Sequence, residues 1–127
     1  MKKILAIFGC AFIGSALRYL LTPAGANHHL LTVLAINVAG SFLLPLITGA
    51  LPLVVPVSLA TITGLSVGLV GSFTTFSTFI VDALHLAQQG AWGTFSLYLS
   101  ASLLLGGLAA ALGIRLARKF VTRGWHQ

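Results

Sequence analysis

The sequence predicts an all-α integral membrane protein with four transmembrane helices, the third of them broken. Three observations lead there. Hydrophobic residues make up 57% and charged residues 6% of the 127 positions, a balance typical of chains embedded in lipid. No Asp, Glu, Lys or Arg stands between Arg18 and Asp82, or between Asp82 and Arg115. A water-soluble fold could not solvate a surface drawn from such stretches. The apolar runs reach membrane-spanning length and are separated by short segments carrying Pro, Gly and Asn. A chain of this size forms one domain, residues 1–127.

The first helix is expected from about Ile4 to Leu21. Gly9, Cys10, Gly14 and Ser15 are small, and Cys10 and Gly14 share a face at spacing four, a helix-packing pattern. Cys10 is the only cysteine, so no disulfide forms within the chain and the thiol reads as a packing residue. Lys2 and Lys3 before an apolar run could open a signal peptide, but no small-residue cleavage site follows, and a retained helix is expected. Arg18 and Tyr19 close the helix as an interfacial pair by residue type. Thr22 to His29 reads as a loop marked by Pro23, Gly25 and Asn27. His28 and His29 are expected to be solvated there, since no carboxylate or thiol is near in sequence.

The second helix is expected from Leu30 to Ala50, kinked at Pro45. Asn37 is its one strongly polar side chain, with Gly40 and Ser41 on the same face. A mid-span amide must point into the bundle, either for an interhelical hydrogen bond or to line a path. Leu51 to Pro56 reads as a loop. The third segment, Pro56 to Leu84, would be about 40 Å long as one helix at ~1.5 Å per residue. That exceeds a hydrocarbon core of ~30 Å, so it must tilt or break. Gly64 and Gly68 form a close-packing pair. The break is expected where Gly68, Gly71, Ser72, Thr74, Thr75 and Ser77 lower helix propensity. Asp82 and His85 near its end suit either a proton-coupled pair or a helix end reaching water, and the second is expected. The fourth helix is expected from Gly93 to Lys119, with Tyr98, Ser102 and Gly106 on one stripe that is either a packing seam or a polar track. Arg115, Arg118, Lys119 and Arg123 form a basic tail, and Trp125 belongs at an interface.

Residues 71–79, Gly-Ser-Phe-Thr-Thr-Phe-Ser-Thr-Phe, carry the chemistry. A broken membrane helix exposes carbonyls that can hold a small cation. On a helix Phe73, Phe76 and Phe79 form one stripe, with Thr75 and Thr78 beside it. Ring edges and hydroxyl donors side by side suit an anion, although Gly, Ser, Thr and Phe also serve plain helix packing.

The string Thr74-Thr75-Phe76-Ser77-Thr78-Phe79, preceded by Gly68 and Gly71, resembles the signature of the small fluoride channels called Fluc or CrcB. Gly14-Ser15-Ala16-Leu17-Arg18-Tyr19 and Asn37-Val38-Ala39-Gly40-Ser41-Phe42 are similar to that family's first and second helices. The resemblance implies two four-helix subunits packed as an antiparallel dimer, their broken third helices crossing at the centre. It implies a structural, non-transported sodium ion held by the Gly71 and Thr74 carbonyls. Phe76 and Phe79 would offer ring edges to the anion, and Asn37, Thr75, Ser77, Thr78, Tyr98 and Ser102 would be donors. Arg18 and Asp82 would stand at the pore mouth. Gly106 lacks the hydroxyl of the family's polar track, and Asp82 replaces its usual Glu.

The expected function is therefore a fluoride-selective channel in the cell membrane, releasing cytoplasmic fluoride down its gradient. Four helices are too few to enclose a wide conduit, which independently calls for an oligomer. Six of seven basic residues lie near the termini, which predicts both termini in the cytoplasm. The net charge of +6 is thus a membrane feature, and no nucleic-acid partner is expected. An antiparallel homodimer needs both orientations, so the same bias raises a pairing with an oppositely oriented paralogue. A dual-topology multidrug exporter would need a carboxylate in the first helix, and none is there. A non-transporting assembly subunit is the remaining alternative. One acidic residue and no nucleophile–base set or metal-ligand cluster argue against an enzyme.

Overall fold

A computed structural model describes residues 1–22 and 28–124, with side chains to residue 120. The loop positions Pro23, Gly25 and Asn27, the Arg123 side chain and Trp125 lie outside the described residues. Every regular element among the described residues is helical: α1 (Lys2–Leu21), α2 (His29–Val54), α3 (residues 59–73), α4 (Phe76–Gln88) and α5 (Trp92–Gly124). Four stretches are long and apolar enough to cross a membrane, namely Lys2–Leu21, His29–Val54, Leu59–Gln88 and Trp92–Phe120. The third of these is α3 followed by α4.

Several boundaries differ from the sequence expectation: the third span runs past Leu84 to Gln88 and the fourth helix past Lys119 to Gly124, and two more differ beside prolines. The second span continues past Ala50 to Val54, and the third starts at Leu59 rather than Pro56. Proline lacks an N–H and its ring crowds the preceding turn. Next to Pro45 the helix widens into a π turn over Leu46–Ala50 and then resumes. The third span starts where Ser58, in extended geometry, accepts the Thr61 N–H at 3.1 Å. That N-cap satisfies one of the donors a helix start leaves open.

Small residues set how the spans meet. A Cβ on Gly68 would stand 2.6 Å from the Ile7 carbonyl oxygen and 2.9 Å from Cys10 Cβ. One on Gly14 would run into the Leu69 carbonyl. Ala6 faces Gly64 in the same way. The contacts climb together from 6/64 to 10/68 and 14/69, so α1 and α3 lie side by side and parallel, nearly backbone to backbone. α5 packs along α2, also parallel, with Gly106 near Ser41, Gly113 against the Phe42 carbonyl and Ala117 against Gly49. Where α2, α4 and α5 converge, Val33, Phe79, Ala83 and Tyr98 form a buried cluster. Large apolar side chains such as Phe8, Phe12, Leu20, Leu103 and Leu108 point outward, as a lipid-facing surface requires.

Candidate functional site

Between α3 and α4 the chain leaves helical geometry for two residues. Thr74 has φ −74° and ψ 158°, and Thr75 has φ −146° and ψ 114°. Two side chains hold this extended pair. Asn37 in α2 accepts the Thr75 N–H on Oδ1 at 2.9 Å and donates from Nδ2 to the Thr75 carbonyl at 3.0 Å. The amide thus pairs with Thr75 as a neighbouring strand would. Thr75 Oγ1 accepts the Thr78 N–H at 3.2 Å and so caps α4. Its own hydrogen goes to Thr78 Oγ1 at 2.9 Å.

These bonds have a consequence for the carbonyls. In a continuous helix the Thr75 N–H would donate to Gly71 and the Thr78 N–H to Thr74. Both donors are turned elsewhere, so the Gly71 and Thr74 carbonyl oxygens are released from in-helix pairing. Arg18 reaches one of them: its guanidinium donates to the Thr74 oxygen at 3.3 Å. The interfacial anchor expected from residue type is therefore not what Arg18 makes. It turns inward to the interruption, while Tyr19 remains 79% exposed.

A cavity of about 340 Å³ opens beside the interruption, lined by Asn37, Ser41, Thr75, Phe76, Phe79 and Ser102 among others. Phe79 is buried, whereas Phe76 is 75% exposed on the open side. Their ring centroids are 6.1 Å apart, and Phe79 lies 5.1 Å from the Tyr98 ring. The single aromatic stripe expected for Phe73, Phe76 and Phe79 does not form. The two extended residues take Phe73 out of register, and it faces Leu21, Leu31 and Ile36 at a separate cavity.

The expected donors are differently disposed. Asn37 has one amide hydrogen left after pairing with Thr75. Ser102 donates to its own helix, to the Tyr98 carbonyl at 2.7 Å, and Ser41 does likewise to Asn37 at 2.8 Å. Each hydroxyl must rotate to donate into the cavity. Ser77 is exposed on α4 and Thr78 is half-buried; neither lines the cavity. Arg18, Asp82 and Tyr98 also lie outside its lining.

Asp82 and His29 depart furthest from the sequence reading. Asp82 was expected at a helix end, paired with His85 if with anything. It sits inside α4, only 9% exposed, and its Oδ1 lies 3.3 Å from His29 Nε2. Tyr98 donates to its other oxygen at 3.4 Å. His29 is the first residue of α2 and half-buried rather than a solvated loop residue, while His28 and His85 are exposed. A contact across so many positions leaves no local signal. The one clue was a lone carboxylate in an apolar chain, which calls for a partner somewhere.

The family model described as CrcB-like protein, Camphor Resistance (CrcB), matches residues 5–114. A protein of Bacillus cereus named Fluoride-specific ion channel FluC 1 is 40% identical over 136 aligned positions, covering 99% of each chain. One of Lactiplantibacillus plantarum named Fluoride-specific ion channel FluC 2 is 45% identical, covering 89% of this chain and 90% of the relative. Another FluC 2, of Listeria monocytogenes, is 35% identical over 95% of this chain and 93% of its own.

Proposed function

The chain belongs to the CrcB family, and on that premise we propose that it is a subunit of a fluoride-selective channel. It is a multi-pass membrane protein and not an enzyme. Cytoplasmic fluoride would leave through it down its gradient. The observation that carries this reading is the interruption at Thr74–Thr75, with its freed carbonyls and with the Phe76–Phe79 rings lining the cavity beside it.

Fluoride is small and tightly hydrated. A path that replaces its water needs close donors and must be too narrow for chloride. Ring edges carry partial positive charge, and the Phe79 ring is fixed by packing against Tyr98. The remaining Asn37 amide hydrogen and the Ser102 hydroxyl face the same cavity. Thr75 and Thr78 act one step back, by fixing the start of α4.

The resemblance also implies a bound sodium ion. The donor chemistry fits: Gly71 and Thr74 present neutral carbonyl oxygens relieved of in-helix partners, the kind of oxygen ligand a hard cation takes. Two oxygens from one chain are too few to replace a hydration shell. A second copy facing the first would double the set. When bound, sodium would supply a positive charge at the centre of the path. Arg18 already supplies one beside Thr74.

The open side of the cavity, with Phe76 exposed on it, is the face we assign to a second subunit, packed antiparallel. Six basic residues near the termini against Arg18 alone toward the other side favour cytoplasmic termini. The same bias favours an oppositely oriented paralogue over an inverted second copy. Cysteine-accessibility mapping of the chain expressed alone is the check, and equal populations of both orientations would count against the paralogue.

The function itself is tested by fluoride efflux from liposomes containing the purified protein, with chloride as control. Rapid fluoride release with chloride retained is expected. Equal release of both ions, or of neither, removes the reading.

A further inference from the structure

The chain's sole acidic residue sits at the end of its aromatic run. From the interruption, Phe76 leads to Phe79 at 6.1 Å between centroids, and Phe79 to Tyr98 at 5.1 Å. The Tyr98 hydroxyl then donates to Asp82 at 3.4 Å. An anion moving along these rings, away from the end of the bundle that holds the termini, must pass a buried carboxylate. In a low-dielectric span that repulsion is strong unless a positive charge or a proton offsets it.

His29 is placed to do so. Its Nε2 lies 3.3 Å from Asp82 Oδ1. Its Nδ1 is closed off from solvent and has no hydrogen-bond partner among the described residues. The residue lines a separate cavity of about 520 Å³ with His28, Leu34, Leu97, Tyr98 and Ala101. Neutral imidazole with its hydrogen on Nε2, the atom nearest Asp82, leaves Nδ1 as a bare acceptor. Adding a proton at Nδ1 converts it to a donor and balances the carboxylate.

We propose that His29 is a proton-controlled residue of the anion path: protonated, it cancels the charge of Asp82; neutral, it leaves Asp82 to repel fluoride. This rests on the channel reading above. The neighbouring titratable or charged groups among the described residues are few. α2 contributes only exposed His28 beside His29, and α4 contributes exposed His85, one turn beyond Asp82. α5 contributes Tyr98, whose hydroxyl is on Asp82. The nearest charge of α1 is Arg18, held at the Thr74 carbonyl, and α3 carries none.

The test is the unitary fluoride current in planar bilayers between about pH 8 and 5.5, the range in which imidazole ordinarily changes charge. Current is read because undissociated hydrogen fluoride crosses lipid unaided at low pH. A several-fold rise in wild-type current toward the acidic end is expected. His29→Gln should stay at the low alkaline level throughout, and Asp82→Asn should stay high throughout. A flat wild-type profile, or a His29→Gln protein that keeps the wild-type rise, overturns the proposal. If His29→Gln does not assemble, Asp82→Asn decides alone, and retention of the wild-type rise there is fatal. Fluoride current without pH dependence defeats only this inference. No fluoride current at any pH defeats the channel reading and this one with it.

Discussion

Replacing Asn37 with Ala should remove the shape of the interruption itself. The substitution deletes two hydrogen bonds at once, 2.9 Å and 3.0 Å long, from the N–H and C=O of Thr75. Thr75 is only 4% exposed, so water cannot replace them readily. Each buried backbone group left without a partner costs about 1–3 kcal/mol. Part of this is recovered, because the Thr75 N–H can swing back to the Gly71 carbonyl and close one helical bond. Bonds between membrane helices also measure weaker than in water, ~0.6 kcal/mol on average. A net loss of about 2–3 kcal/mol is therefore reasonable, which lowers the ratio of extended to helical forms by about 30- to 150-fold. Fluoride efflux should fall, by at most that factor. Hydrogen exchange at the Thr75 amide should change with it, while the size-exclusion profile stays that of the wild type. Thr48→Ala is the control on the same helix, since Thr48 bonds only its own Leu44 carbonyl on an exposed face. Wild-type efflux and unchanged Thr75 exchange in Asn37→Ala would refute the clamp.

Three further outcomes are expected. Phe76→Ile keeps the apolar bulk but loses the ring edge, so fluoride efflux should drop by an order of magnitude or more with assembly intact; full flux would remove the ring-edge mechanism. Gly68→Val places carbon against the Ile7 carbonyl and Cys10, separating α1 from α3 at a cost of ~3 kcal/mol or more by overpacking, which should appear as loss of a monodisperse detergent peak. Arg18→Gln removes a cation from the Thr74 oxygen, so any sodium dependence of efflux, measured against N-methylglucamine, should shift to lower sodium concentration. An unchanged sodium dependence would place the cation elsewhere.

Much of the architecture was legible in the residues. Charge-free runs of membrane length fixed four spans, and small residues at Cys10, Gly14, Gly64 and Gly68 marked the α1–α3 face on which they in fact meet. The glycines and hydroxyls of residues 68–77 pointed to the region where helical geometry lapses, at Thr74 and Thr75. What was not legible depended on partners far away in sequence. Spacing rules treat a segment as one helix, so they put Phe73 on the same stripe as Phe76 and Phe79, and two extended residues were enough to remove it. Residue type alone sent Arg18 outward to head groups, yet an unpaired carbonyl inside the bundle is a stronger attractor than an interface a short distance away. His29 was read against its immediate neighbours, none of them acidic, when the relevant carboxylate came from a different span.

A common cause links these misses. Opening the third span frees backbone groups that lipid cannot satisfy, and every departure near the interruption answers that need. Asn37 takes both polar groups of Thr75, Thr75 takes the N–H of Thr78, and Arg18 takes the oxygen of Thr74. Among the described residues the Gly71 carbonyl is left without a side-chain donor of this kind, and the residue is exposed. A buried cation or a donor from a second subunit is what physical chemistry would place there. The strongest argument that one chain is incomplete is thus a backbone oxygen rather than an apolar patch. If the proposed pairing and sodium site hold, moving residue 71 out of position should weaken subunit association and any sodium dependence of efflux together.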